Sequence, residues 1–267
     1  MATVDLPAYL SRIGVAEPLA ADLDTLRRVH LAHATSIPFE NLDIHLSRVI
    51  RLDLVSIQAK LVTGGRGGYC FEHNRLLAAA LGALGFEVTT LGARVGPGDP
   101  RVLRRTHMVL AVAVGGVDWL ADVGFGAGGL LEPIPLVPGE PVDQPGRTFR
   151  VVETADGFAL EKRAGEGWDV EYQYTTEEMY PADYEVASHY TSTHPDSGFV
   201  RTLTAQREGI DAQWVLRGRE LTEFRGGAVT TTTVAEEDLL DTLAETFGLR
   251  FAPGTRFASP AVVEPGA

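Results

Sequence analysis

A lone cysteine, Cys70, in 267 residues leaves this chain no internal disulfide, so its stability must come from a packed core, as expected in a reducing compartment. Basic residues are in deficit, 23 against 36 acidic, giving a formal net charge of −13. That balance argues against a nucleic-acid partner and against an anionic membrane surface. No stretch approaches the roughly 18 uninterrupted apolar residues of a membrane span, and Met1 to Ala20 lacks a basic start followed by an apolar run. A cytoplasmic protein without membrane association is expected. No internal repeat is present. Cys70 and His73 have the spacing of half a metal site, but no second cysteine exists to complete a structural zinc cluster, so no metal is expected. His73 then reads as a helix-surface or packing histidine. Gly64-Gly65-Arg66-Gly67-Gly68 is followed by neither Lys-Ser nor Lys-Thr, which excludes a phosphate loop. Its glycines instead permit sharp turns before Cys70. Gly124-Phe125-Gly126-Ala127-Gly128-Gly129 has the letters of a dinucleotide motif, yet Leu130-Leu131-Glu132-Pro133-Ile134-Pro135 cannot open the helix such a site requires.

What is present is a hydrophobic content of 45%, enough at this length for one large core or two merged ones. Helical spacing covers 22–34, 54–62 and 71–84, the last with Leu76, Leu77, Ala80, Leu81 and Leu84 on one face and Gly85 as its stop. From Phe86 the texture changes to short β-type runs at 86–95, 107–114, 117–123, 149–153 and 158–163. Leu130 to Gly146, with five prolines, reads as a long connection inside a domain. Strands near 212–216 and 228–234 and a helix over 235–247 follow, and Ala261 to Ala267 reads as a loose tail.

Cys70 lies directly before an apolar helical pattern. A helix starting there aims unpaired N–H groups and a positive dipole end at the sulfur, which favours the nucleophilic thiolate; a small buried hydrophobe is the plainer alternative. His107 opens one apolar β-type run and Asp122 closes the next, with only Gly115 and Gly116 as the turn between them. Antiparallel pairing around that turn sets residues whose numbers sum to about 231 opposite each other, so His107 and Asp122 become neighbours. Taken singly they could be a strand-end histidine and a turn former. Taken with Cys70 they form a thiol, a base and an orienting carboxylate, the Cys-His-Asp version of a nucleophilic triad.

Ile37-Pro38-Phe39-Glu40-Asn41-Leu42, Arg66-Gly67-Gly68-Tyr69-Cys70, Thr106-His107-Met108 and Asp122-Val123-Gly124-Phe125-Gly126 occur in the order found in the arylamine N-acetyltransferase family, bacterial type. The chain resembles that family densely over 36–129, with Ser192 to Val200 a further similar segment. The resemblance implies an α+β fold of three parts: a helical bundle carrying the nucleophile over 1–85, a β-barrel-like domain carrying His107 and Asp122 over 86–195, and an α/β lid over 196–267, with a cysteine-protease-like catalytic core. It further implies an acyltransferase of xenobiotic metabolism, with acetyl-CoA as co-substrate and an arylamine, arylhydrazine or arylhydroxylamine as acceptor, working by a ping-pong route through an acetyl-cysteine. Carried over by position, Phe39 and Phe125 wall the acceptor pocket, while Val95, Thr106, Gly124, Phe125 and Phe199 line the CoA side. Ala127 and Gly129 place small side chains in the selectivity loop, implying an open pocket. Arg101, Arg104 and Arg105, clustered in an acidic chain, are candidates for attracting CoA phosphates. Arg66, beside a buried nucleophile, needs an anionic partner, and Glu40 and Asp43 are the candidates for that structural role.

Three other functions compete. An amide synthase on this fold would use the same triad to release a polyketide acyl chain from a carrier protein. A thiol amidohydrolase would turn it on peptide amides, and an aryl-binding module would leave Cys70 inert. A homo-oligomer is left open.

Overall fold

The structure, a computed structural model, describes residues 3–17 and 19–258, so the expected loose tail at 261–267 lies outside the described residues. Five helices make the first layer: α1 (Leu6–Ile13), α2 (Leu23–Ser36), α3 (Leu42–His45), α4 (Leu54–Ile57), which runs into a π-helical turn over Gln58–Thr63, and α5 (Cys70–Ala83). Side chains of Asp5, Asp22 and Asp53 accept from the backbone N–H of Ala8, Thr25 and Ser56, satisfying donors that the first turns of α1, α2 and α4 leave open. The helical stripe of α2, with Leu26, Val29 and the buried His30 and His33, packs toward Leu76, Leu77, Ala80 and Leu81 of α5. Gly85, at φ 92°, follows α5 in the left-handed conformation expected of its stop. Between α2 and α3, a two-residue strand β1 (Phe39–Glu40) leaves the helical layer to join a distant sheet.

The middle of the chain is an eight-stranded antiparallel sheet: β2 (Glu87–Val95), β3 (His107–Val114), β4 (Val117–Ala121), β5 (Ile134–Pro135), β6 (Val142–Gln144), β7 (Arg147–Thr154), β8 (Gly157–Ala164) and β9 (Gly167–Glu178), ordered β5-β4-β3-β2-β9-β8-β7-β6. Leu110 opposes Ala121 and Val114 opposes Val117, the register that the Gly115-Gly116 turn leads one to expect. The sheet curls until its two edges nearly meet. Gln144, in edge strand β6, accepts from the Leu131 N–H and donates to the Glu132 carbonyl, both at 2.8 Å, beside edge strand β5. Leu120, Ile134, Phe149, Leu160 and Tyr172 fill the barrel as one buried cluster. The proline-rich stretch 130–146 is therefore no plain connection. It supplies both edge strands, and Leu131 and Leu136 anchor it in the core.

The last part begins with α6 (Pro181–Thr193) and α7 (Gly198–Arg201), followed by β10 (Thr204–Arg207), β11 (Ala212–Arg217), β12 (Glu220–Arg225), β13 (Ala228–Thr233) and α8 (Leu239–Phe247). The five-stranded sheet runs β1-β10-β11-β12-β13, with Leu216, Leu243, Phe247 and Leu249 packed around Leu42 from the helical layer. Tyr184 of α6 returns to the helical core. The helix expected at 235 starts at Leu239, because Ala235 to Asp238 are taken up by a turn. The chain is thus α+β, with helices, a nearly closed barrel and a second sheet.

Candidate active site

Cys70 is the first residue of α5, where the backbone N–H groups have no intrahelical partner. Its position depends on the loop before it. The Glu40 N–H donates to the Gly68 carbonyl at 2.7 Å, and the Tyr69 N–H donates to Glu72 Oε2 at 3.1 Å, closing the helix start. A Cβ on Gly67 would collide with the Pro38 carbonyl, and one on Gly68 would lie 2.6 Å from Glu72 Oε2. These two glycines therefore serve close packing; the sharp turn expected of the run falls on Gly65, at φ 62°. The Tyr69 hydroxyl is bonded to Ser188 Oγ, which fastens the start of α5 to α6.

A buried ionic cluster lies beneath this loop. Arg66 Nη2 donates to Glu40 Oε1 at 2.6 Å and to Asp43 Oδ1 at 3.2 Å, and Lys60 Nζ reaches Asp43 Oδ2 at 2.7 Å and Glu72 Oε1 at 2.9 Å. Burial would raise the Asp43 carboxyl, but Lys60 and Arg66 outweigh it and hold the pKa below the usual value. Glu72 goes the other way, with burial lifting it to about 6 against the pull of Lys60. The Arg66 guanidinium also sits 4.6 Å above the Phe251 ring.

His107 opens β3 opposite Ala93 of β2, and Asp122 immediately follows β4. His107 Nε2 donates to Asp122 Oδ2 at 2.7 Å, with both side chains almost fully buried. Fixing the Nε2 proton on the carboxylate leaves Nδ1 as the nitrogen available to the thiol. Burial alone would depress the imidazole, but the Asp122 charge, the hydrogen bond to it and contact with Cys70 raise it to about 10. Burial would likewise raise Asp122; His107, Asn74 and the Gly124 N–H overcome this and lower it. Cys70 Sγ lies 3.6 Å from the Thr106 carbonyl.

Three further residues shape the triad, and the sequence reading missed each of them. Asn74 lies one turn beyond Cys70. Its Nδ2 donates to Asp122 Oδ1 at 2.8 Å and to the Met108 carbonyl, while its Oδ1 accepts from the Val123 N–H at 3.0 Å. The i, i+4 spacing to Cys70 was the available signal. His30 accepts from the Asp122 N–H at 3.1 Å on Nε2 and donates from Nδ1 to the Leu131 carbonyl; burial lowers it to about 4, which keeps it neutral. Tyr172 packs its ring 5.1 Å from that of His107.

The carried-over positions fall as follows. Thr106, Gly124 and Phe125 adjoin the triad: a Cβ on Gly124 would lie 2.7 Å from the Cys70 Cα, and the Phe125 ring meets His107 edge-on at 5.5 Å. Phe199 lies 5.8 Å from Phe39 and 6.2 Å from Tyr69. Val95 is 47% exposed at the end of β2, paired with Tyr172. His73 does not lie on the surface. It is buried, accepts from His33 Nε2 at 3.0 Å and donates to the Pro38 carbonyl at 3.2 Å, while Tyr9 donates to His33 at 2.9 Å. Arg101 and Arg105 are not a free cationic patch, since each has a carboxylate partner, Asp99 and Glu177, and Arg104 stacks over Tyr190. Phe39 and Phe125 line a cavity beside Asp122 of only about 20 Å³, room for about one water molecule. On the Asp122 side the described residues leave no open pocket of the kind implied by Ala127 and Gly129; Ala127 and Gly128 instead line an open pocket of about 550 Å³ on the far side of the loop, between the barrel and the second sheet. Among the described residues, no helix is long and apolar enough to cross a membrane, and no group of three or more His, Cys, Asp or Glu is placed to hold a metal.

A family model described as N-acetyltransferase matches residues 22–255. The chain is 41% identical to an arylamine N-acetyltransferase of Mycolicibacterium smegmatis, covering 92% of both chains. A solved structure of an M. smegmatis arylamine N-acetyltransferase superposes with a TM-score of 0.87 at 40% identity, over 92% of this chain and 93% of that one. The Mycobacterium marinum arylamine N-acetyltransferase solved in complex with CoA gives 0.86 at 36%, over 91% and 92%. Proansamycin X synthase of Amycolatopsis mediterranei is more distant, at 31% identity over 89% of this chain and 94% of its own. With the matched model spanning most of the sequence and these likenesses running nearly end to end, the chain belongs to the arylamine N-acetyltransferase family.

Proposed function

We propose that the chain moves an acetyl group from acetyl-CoA to an arylamine, arylhydrazine or arylhydroxylamine in two half-reactions, with Cys70, His107 and Asp122 as the catalytic residues. The observation behind this reading is the 2.7 Å bond from His107 Nε2 to Asp122, which turns Nδ1 toward a cysteine at a helix start. The M. marinum relative solved with CoA supports the donor.

In the first half-reaction the Cys70 proton passes to His107 and Sγ attacks the thioester carbonyl carbon. The bond from that carbon to the CoA sulfur breaks, and CoA leaves as its thiol with the proton from His107. The acetyl group is now a thioester on Cys70, nearly isoenergetic with the one it came from. In the second, the acceptor nitrogen attacks the same carbonyl carbon, the carbon–Sγ bond breaks, and His107 relays the amine proton to the departing sulfur. Burial of the triad excludes the water that would hydrolyse the intermediate. Asn74 and His30 hold Asp122, and Phe39, Phe125 and Phe199 supply aromatic faces for a flat acceptor. Val95, Thr106 and Gly124 are proposed, with Phe125 and Phe199, as contacts for the CoA arm. Arg66, Glu40 and Asp43 have a structural role in holding the loop before Cys70.

The test is intact mass after mixing the protein with acetyl-CoA alone, beside Cys70→Ala. One acetyl adduct on the native protein only, with release of free CoA, is expected. No adduct, although iodoacetamide labels Cys70 rapidly, would overturn the reading. A second reading, an amide synthase taking a polyketide acyl chain from a carrier protein, is favoured by the likeness to proansamycin X synthase. It predicts that a bulky acyl thioester loads Cys70 faster than acetyl-CoA does.

A further inference from the structure

The loop 125–129 forms one wall of the small cavity beside Asp122, and it is held by side chains of two different sheets, of which Gln206 and Glu208 line the same cavity. The Ala127 N–H donates to Gln206 Oε1 at 2.7 Å and the Gly128 N–H to Glu208 Oε2 at 2.8 Å, both acceptors coming from β10 and the turn after it. From the barrel, Arg147 Nη1 donates to the Gly129 carbonyl at 2.6 Å and Lys162 Nζ to the Gly128 carbonyl at 3.0 Å. Arg147 and Glu208 are themselves joined by two parallel hydrogen bonds, at 3.0 and 2.8 Å, with side chains 3% and 7% exposed. Two consecutive backbone donors and two carbonyls are thus fixed in one five-residue loop. Its backbone fits only as glycine at two points: Gly126 and Gly128 have φ of 95° and 91°, and a Cβ on Gly126 would collide with Gln206.

The held position leaves about 20 Å³ beside Asp122 and Phe125, enough for about one water and too little for an aromatic ring. For a flat acceptor to occupy this cavity the wall must move, breaking the bonds to Gln206 and Glu208. We propose that Gln206 and Glu208, the latter backed by Arg147, are positioning residues that latch the 125–129 loop and set the size of acceptor admitted to Cys70. The latch touches no reacting atom. Its effect on acceptor choice rests on the acetyl-transfer reading above, whereas its effect on access to Cys70 does not.

The test compares wild type, Gln206→Met and Glu208→Gln. Gln206→Met changes no charge and removes the acceptor for the Ala127 N–H while keeping a side chain of similar length against Gly126. Cys70 is alkylated with iodoacetamide and with the bulkier N-phenylmaleimide, and the ratio of the two rates is read. Loss of the latch should raise the ratio for the bulky reagent roughly 3- to 10-fold, the scale of one net hydrogen bond, and raise kcat/KM for a two-ring arylamine over aniline in the same sense. An unchanged alkylation ratio in a variant that melts like wild type overturns the latch, as does an equal fall for both reagents, which marks a merely structural role. Should Glu208→Gln fail to fold because Arg147 is left unpaired, Gln206→Met decides alone. If wild type forms no acetyl adduct, the transfer reading fails while the alkylation ratio still decides the latch; a raised alkylation ratio with an unchanged acceptor ratio refutes the specificity role alone.

Discussion

Replacing Arg66 with Ala probes the ground on which Cys70 stands. Arg66 is the cation nearest Glu40, whose side chain is fully buried, and it shares Asp43 with Lys60. Without it, Lys60 still pairs with Asp43 and Glu72, but the Glu40 Oε1 loses both its hydrogen bonds from the guanidinium. Removing one partner of a buried pair costs about 3–5 kcal/mol, because the remaining charge is stranded. The stacking over Phe251 is lost as well. For a chain of this size, about 2–4 °C of melting temperature corresponds to each kcal/mol, so Arg66→Ala should melt roughly 6–20 °C lower. Differential scanning calorimetry on wild type, Arg66→Ala and Arg66→Lys measures this. Lysine keeps the charge but not the fork that contacts Glu40 through two nitrogens, so it should recover part of the loss. Glu40 also holds the loop leading to Cys70 through its N–H bond to the Gly68 carbonyl, so alkylation of Cys70 in Arg66→Ala should be faster than in wild type below the melting point. A melting point within about 2 °C of wild type, less than the shift from 1 kcal/mol, would refute the reasoning and mean that Glu40 finds its hydrogen bonds elsewhere.

Other expectations follow from the same geometry. Asp122→Asn keeps the shape of the triad but lets the imidazole take the wrong tautomer, so turnover should drop by about 10⁴; steady-state kinetics decide it, and a loss below tenfold would deny Asp122 its role. Gly124→Ala puts a methyl 2.7 Å from the Cys70 Cα and 2.8 Å from Asn74 Nδ2, so acetylation of Cys70 should be lost, and a fully active variant would contradict the packing. Stability should peak near pH 6.5, the ordinary value for histidine. Buried His30 and His73, lowered to about 4 mainly by burial, favour unfolding as pH falls from there, while His107, raised to about 10, loses its contribution as pH climbs toward that value. Melting temperature against pH tests this, and Asp122→Asn should flatten the alkaline limb; an unchanged alkaline limb would remove the ion pair from the account.

The core of the site is legible because local rules determine it. The Gly115-Gly116 turn sets the register of β3 and β4, so His107 and Asp122 become neighbours whatever surrounds them. Leu76, Leu77, Ala80 and Leu81 make α5 visible as a helix, and Cys70 is its first residue. Other elements hide because their partners are distant in sequence. β9 alternates Tyr172 and Tyr174 with charged and polar residues that face solvent, so its apolar signal is thin. α6 opens with Pro181 and carries few apolar residues, since it buries little beyond Tyr184, Ser188 and Thr191. The two strands in 130–146 are two and three residues long and owe their existence to Gln144 and the barrel edge, which no local pattern announces. His30 and Gln206 act through backbone groups far along the chain, so their roles exist only after folding, whereas Asn74 shows beforehand only its spacing to Cys70.

The pairing of β1 with β10 has a consequence for how the chain is made. Phe39 and Glu40 leave the ribosome about 165 residues before Ala205 and Gln206, their partners, an interval of roughly 8–30 s at ordinary synthesis rates. Throughout that time the nascent chain presents an open strand edge, a ready site for pairing with a neighbouring polypeptide. Arg66 is synthesised early and can hold Glu40 long before β10 arrives, so the ion pair that supports the finished site also guards an unfinished one. A variant lacking it should aggregate during translation more than its equilibrium stability alone would dictate.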